Sequence, residues 1–279
     1  MTETAVCFGP EASLVGVLTE PDHPAGSNVT VVMSNVGLNH RVGPSRIWVD
    51  LARRLAKQGV RSFRFDASGL GDSAPRADLL SDIERSVLDL KDALDWLAQR
   101  SGDRFVLVSL CSGTDNAHRV AVDDSRVIGA VFLDGYNYPT PGVLLDKYLT
   151  RWASRPHWRR FLRRRLPKLF DLDLQKRAAG EADEIFIREY PSRQQFVADL
   201  SKLIARDARM LFVFSGETAY SYRRQFWDWV EHPHWADRIE VEYYPKANHT
   251  YTYLAEREVM LERTTRFILS VDERIKGTP

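Results

Sequence analysis

Residues 104–122, RFVLVSLCSGTDNAHRVAV, carry the strongest chemical signal in the chain. An apolar run leads straight into Ser109-Leu110-Cys111-Ser112-Gly113, and helix-forming residues follow. Small-x-nucleophile-x-small is the pattern of a strand–turn–helix elbow. So tight a turn needs small residues two before and two after the nucleophile, which Ser109 and Gly113 supply. It also lifts the side chain to a helix N-terminus, where the helix dipole favours a thiolate over a thiol. A thiolate there attacks activated acyl groups such as enol esters, lactones and thioesters, and its acyl-enzyme needs a well-placed water to turn over. The plainer reading is a free cysteine packed at a strand end.

The elements that would position this residue follow from hydrophobic patterning. Short apolar runs occupy 5–8, 13–18, 29–34, 61–66, 104–109, 127–133, 209–215 and 238–244. The first two, split by Gly9 and Pro10, read as a hairpin. Several later runs are apolar at nearly every residue, as parallel strands covered on both faces require. Between them, Ile47, Leu51 and Leu55 recur at helical spacing before Gly59, and Ser81-Asp82-Ile83-Glu84 forms a capping box. Ile83, Val87, Leu90, Leu94 and Leu97 follow on one face, and Met260, Phe267 and Val271 mark a terminal helix. This alternation predicts a mostly parallel eight-stranded sheet with helices on both faces.

The alternation breaks between residues 136 and 204, a stretch with helical pieces, five prolines and no clear strand. We read 1–135 with 205–279 as the core and 136–204 as an inserted helical cap; a long excursion over one sheet edge is the alternative. Within it, 151–168 holds eight Lys or Arg and no acid, interleaved with Trp152, Trp158 and Phe161. That is a solvated helix face or a dock for an anionic carrier or substrate. With a net charge of +1 over 279 residues, no global basic excess points to nucleic acid. No segment approaches the roughly 20 apolar residues of a membrane span, and no secretory signal is visible. Cys7 and Cys111 are too few for a disulfide framework, so a reducing cytoplasm is the expected setting, with a single bridge the alternative.

Three further segments join the elbow in a resemblance. Residues 31–45, VVMSNVGLNHRVGPS, lie at the end of the third strand; 65–73 read FDASGLGDS; and 243–251 read YYPKANHTY. Together the chain resembles the α/β-hydrolase superfamily, of the alpha/beta-hydrolase-1 or serine-aminopeptidase-like type, over nearly its whole length. The resemblance implies His249 as the general base. It also implies an oxyanion hole built from the Ser112 amide and that of Gly37, with Leu38 as fallback donor. Leu38, His40 and Tyr136 are candidate substrate contacts, a structural role being the alternative for His40. His23, His118, His157, His232 and His234 read as surface or cap residues.

Two departures stand out. Where the family places its acid after the seventh strand, this chain has Ala219, with Glu217 nearby at the wrong spacing. Asp134, at the end of the sixth strand, is the preferred acid, Glu217 the alternative, and no acid at all the third reading. The other departure is cysteine in place of serine.

These residues imply an acyl ester or thioester hydrolase or acyltransferase with a Cys111–His249–Asp134 triad, needing neither cofactor nor metal. Its substrate would be a small acyl compound, free or bound to an acyl carrier. A looser resemblance to the acetate-eliminating hydrolase-fold enzymes of tetronate polyketide pathways implies a lyase without a covalent intermediate. A non-catalytic binding protein on the same fold is the remaining alternative.

Overall fold

Each of the eight apolar runs forms a strand, and one sheet takes them all. The computed structural model describes residues 1–23, 26–138, 140, 142 and 190–276. Its strands are β1 (Thr2–Phe8), β2 (Leu14–Glu20), β3 (Thr30–Met33), β4 (Arg61–Phe65), β5 (Phe105–Leu110), β6 (Val127–Leu133), β7 (Arg209–Ser215) and β8 (Ile239–Tyr244). They lie in the order β1-β2-β4-β3-β5-β6-β7-β8. The β1–β2 hairpin and the β2–β4 pair are antiparallel; β4 through β8 run parallel.

Alternation of side chains along a strand splits the apolar runs between two cores. Phe105 and Leu107 of β5 join one cluster, and Val106, Val108 and Leu110 join the other. The first face is covered by α2 (Asp82–Ser101), α3 (Ser112–Asp123), α4 (Arg193–Ala205) and α5 (Gln225–Val230). The second is covered by α1 (Ile47–Lys57) and α6 (Leu254–Lys276). Helices on both faces are what strands apolar on every residue demand.

Local signals set the helix ends. The Ser81 hydroxyl accepts from the Glu84 amide at 3.3 Å, and the Glu84 carboxylate accepts from the Ser81 amide at 2.9 Å. Past α1, Gly59 takes a left-handed φ of 79°, a conformation glycine adopts at little cost.

Strand order decides where chemistry can sit. The chain passes from β3 to β4 on one side, then crosses back to β5 on the other. The carboxyl ends of β3 and β5 therefore flank a topological switch point, where open α/β sheets form their crevice. Residues 34–46 leave from one lip and Cys111 from the other. Residues 143–189, with the basic stretch 151–168 and most of the expected cap, lie outside the described residues. At the far end of that stretch, α4 packs Phe196, Leu200 and Leu203 into the first core. No helix among the described residues is long and apolar enough to cross a membrane.

Ser81→Ala removes the hydroxyl that caps α2. It should lower unfolding free energy by about 1 kcal/mol, read as an earlier urea midpoint with an unchanged slope.

Candidate active site

Cys111 closes β5 and opens α3 in a backbone conformation that L-residues avoid, with φ 56° and ψ −125°. Hydrogen bonds on both sides hold it there. Its amide donates to the Leu133 carbonyl at 3.0 Å, and its carbonyl accepts from Thr114 at 3.0 Å. A Cβ at Gly113 would collide with the Asn35 carbonyl, so the glycine lets the elbow close against the loop after β3. The Ser109 hydroxyl reaches the Val131 carbonyl and the Thr114 hydroxyl, each at 3.3 Å. Cys111 itself is half-buried and forms no disulfide.

Asp134 leaves β6, the strand beside β5, also at positive φ, 47°. Its carboxylate is fully buried. One oxygen accepts from the Ser215 amide at 2.6 Å and the other from the Ser215 hydroxyl at 2.7 Å. The second oxygen also meets Nδ1 of His249 at 2.9 Å. The ring's other hydrogen-bond partner is the Cys111 side chain, which leaves Nε2 facing the sulfur. The bond to Asp134, then the bond to Cys111, push the imidazole from its ordinary 6.5 up to about 10, against the opposing effect of burial. The structure thus brings Cys111, His249 and Asp134 into one connected row. Glu217 also reaches His249, but at the backbone: its carboxylate accepts from the His249 amide at 3.0 Å. It braces the loop, and the ring belongs to Asp134.

The loop after β3 meets the elbow at Ser112 and Gly113. Asn35 ties this loop at both ends of its side chain. Its Oδ1 accepts from Ala67 at 2.7 Å and its Nδ2 donates to the Asn39 carbonyl at 2.9 Å. Gly37 takes a φ of 51°, and its amide donates to the Ser112 hydroxyl at 2.9 Å. Farther along, the Arg41 amide donates to buried Asp66 at 2.5 Å, while the Arg41 guanidinium bridges Asp66 and Asp72. A Cβ at Gly71 would strike the Asp66 carboxylate, which explains the second glycine of GLGDS. The 65–73 loop is therefore the clamp on the loop that carries Gly37.

The remaining site residues fall in different places. Leu38 is 65% exposed at the tip of the loop, and His40 is exposed beside it. Tyr136 is buried and stacks edge-on against His118 and Phe196. With His118, Tyr190 and Asp199 it lines a groove of about 700 Å³ whose lining includes neither Cys111 nor His249. His118 corrects the surface assignment made from sequence. It is 3% exposed, because α3 lies between α2 and α4 and its inward face meets Phe132 and Phe196. Burial pushes its imidazole down to about 4, partly offset by Asp199 at 3.8 Å. His157 lies outside the described residues. Ser215, which fixes Asp134, was not anticipated; its signal is a small polar residue closing the strand next to β6. Among the described residues no three His, Cys, Asp or Glu side chains converge to hold a metal ion.

The chain belongs to the alpha/beta hydrolase family, whose model matches residues 31–269. No curated protein matches it in sequence. Solved structures are similar in fold. An esterase from Pyrococcus furiosus shares 17% identity at a TM-score of 0.58, covering 96% of this chain and 91% of its own. An α/β serine hydrolase without lid from Xanthomonas campestris shares 14% at 0.56, covering 100% and 98%. An alpha/beta hydrolase from a Penicillium species shares 18% at 0.57, covering 98% and 100%.

The raised His249 value has a sign in stability. A group held charged by the fold contributes fully below its ordinary 6.5 and loses that contribution as pH rises through about 10. The stability gap between the wild-type chain and Asp134→Asn should therefore be widest below about pH 6.5 and shrink toward about pH 10. Denaturant midpoints of both proteins at the two ends of this window check it; a constant gap would contradict the Asp134–His249 pairing.

Proposed function

We propose that the chain is a cysteine-dependent acyl hydrolase or acyltransferase acting on activated esters or thioesters. One observation carries the reading: the His249 ring is held at Nδ1 by a buried carboxylate while its other bond is to the Cys111 side chain. An imidazole so placed stores the thiol proton, and the resulting imidazolium favours the thiolate.

The reaction then runs in balanced steps. The Cys111 sulfur bonds to the acyl carbon and the carbonyl π pair moves to oxygen. That oxyanion sits against the Gly37 and Ser112 amides. It collapses as the bond to the leaving group breaks, and the leaving group takes the proton from His249 Nε2. Water or an alcohol, losing its proton to His249, attacks the thioester and releases the acyl group, returning the thiol. Asp134 supports the imidazolium throughout and holds the ring's tautomer. A small acyl compound, free or carried on an acidic acyl carrier, is the substrate we propose, and the cytoplasm, where both thiols stay reduced, is the setting.

Cys111→Ala should lower turnover of short acyl thioesters by about 10⁴-fold or more without unfolding the protein. His249→Ala should slow it by about 10²- to 10⁴-fold. Rapid-quench mass spectrometry should find the acyl mass on Cys111. Turnover that persists in Cys111→Ala sinks the nucleophile; turnover in the wild type with no adduct, together with release of an alkene product, supports elimination instead.

A further inference from the structure

The donor assigned to the oxyanion is already occupied. The Gly37 amide gives its hydrogen to Ser112 Oγ at 2.9 Å, and Ser112 is the residue whose own amide forms the other half of the hole. A side chain of the elbow therefore takes the hydrogen that, on this assignment, the substrate oxygen would need. Beside it is a cavity of about 30 Å³ bordered by Ser34, Asn35, Gly37, Ser112 and Asn116. The buried Ser34 hydroxyl, on that same cavity, has no hydrogen-bond partner among the described residues. The Ser112 hydroxyl thus has two polar surroundings: the Gly37 amide, and a small cavity that holds an unsatisfied hydroxyl. Rotation about one serine bond between staggered positions connects such alternatives at little cost.

The chemistry of the exchange is uneven. A neutral substrate carbonyl that displaces the hydroxyl trades one neutral acceptor for another and gains almost nothing. An oxyanion makes a charge-assisted bond about twice as strong as a neutral one, so it displaces the hydroxyl at a profit in free energy. An internal occupant of this kind cancels ground-state binding while leaving much of the transition-state binding, which is the part that accelerates the chemical step.

Resting on the function proposed above, we infer that Ser112 Oγ is a displaceable internal occupant of the oxyanion hole. It is thereby a specificity-determining residue, favouring acyl groups whose tetrahedral anion binds strongly enough to displace it.

The test uses hexanal, which adds reversibly to a thiolate: sulfur bonds to the aldehyde carbon and the new alkoxide takes the His249 proton. Its affinity is read as protection of Cys111 from iodoacetamide in the full-length chain. Ser112→Ala should bind hexanal about fivefold more tightly, the equivalent of ~1 kcal/mol for one neutral hydrogen bond no longer displaced. Ser112→Thr, which restores the hydroxyl, should return to the wild-type value. In the wild-type chain without ligand, the Gly37 amide should exchange its hydrogen slowly, a measurement that stands even where a variant misfolds. Equal or weaker affinity in Ser112→Ala, tight binding in Ser112→Thr, or fast Gly37 exchange overturns the inference alone. A wild-type Cys111 that iodoacetamide does not label overturns the functional reading and this inference with it.

Discussion

The site is organised around a carboxylate that water does not reach. Asp134 accepts from the Ser215 amide, the Ser215 hydroxyl and the His249 ring, so its buried charge is met on every side the described residues offer. A buried charge stripped of partners is among the costlier defects a fold can carry. The fold has therefore strong reason to keep His249 where it is, and the imidazole gains its proton affinity from the same contact. Ion pairing, loop position and base strength are one interaction seen three ways.

Around that row, the backbone is held in conformations it would not choose. Cys111, Asp134 and Tyr251 all take positive φ without being glycine. Each such residue costs on the order of 1–3 kcal/mol and persists only where its surroundings over-determine it. Here those surroundings are parallel strands, the Asp66–Arg41 clamp and the Glu217 brace on the His249 amide. Other non-glycine residues, among them Ser45 and Asp207, share this conformation elsewhere in the chain, so positive φ is not peculiar to the site.

Much of this was readable from the chain before any coordinates. The eight strands were legible because fully covered parallel strands leave long apolar runs, and Ser81–Glu84 was legible because capping acts over three residues. The elbow was legible because its tightness demands small residues at Ser109 and Gly113. The acid was not decided by spacing, since Asp134 and Glu217 both reach His249 and only geometry separates ring from backbone. His118 was misread because periodicity marks one face of α3 as apolar without revealing that α4, supplied from much later in the sequence, covers another. Ser215 and Arg41 escaped notice for the same reason: each acts on a partner far away in the chain.

The pairing register of the central strands has a wider meaning. Leu110 pairs with Leu133, and Leu133 with Val213, so Cys111, Asp134 and Ser215 emerge from neighbouring strands at nearly the same height. Their lateral separation is then governed by the interstrand repeat of about 4.8 Å, a quantity that surface loops cannot alter. Change in the surface loops leaves the spacing of Cys111, Asp134 and Ser215 as the sheet sets it, while His249, on the loop after β8, is held by Asp134 and Glu217. Three side chains are thus spaced by backbone hydrogen bonding, and a single loop completes the set.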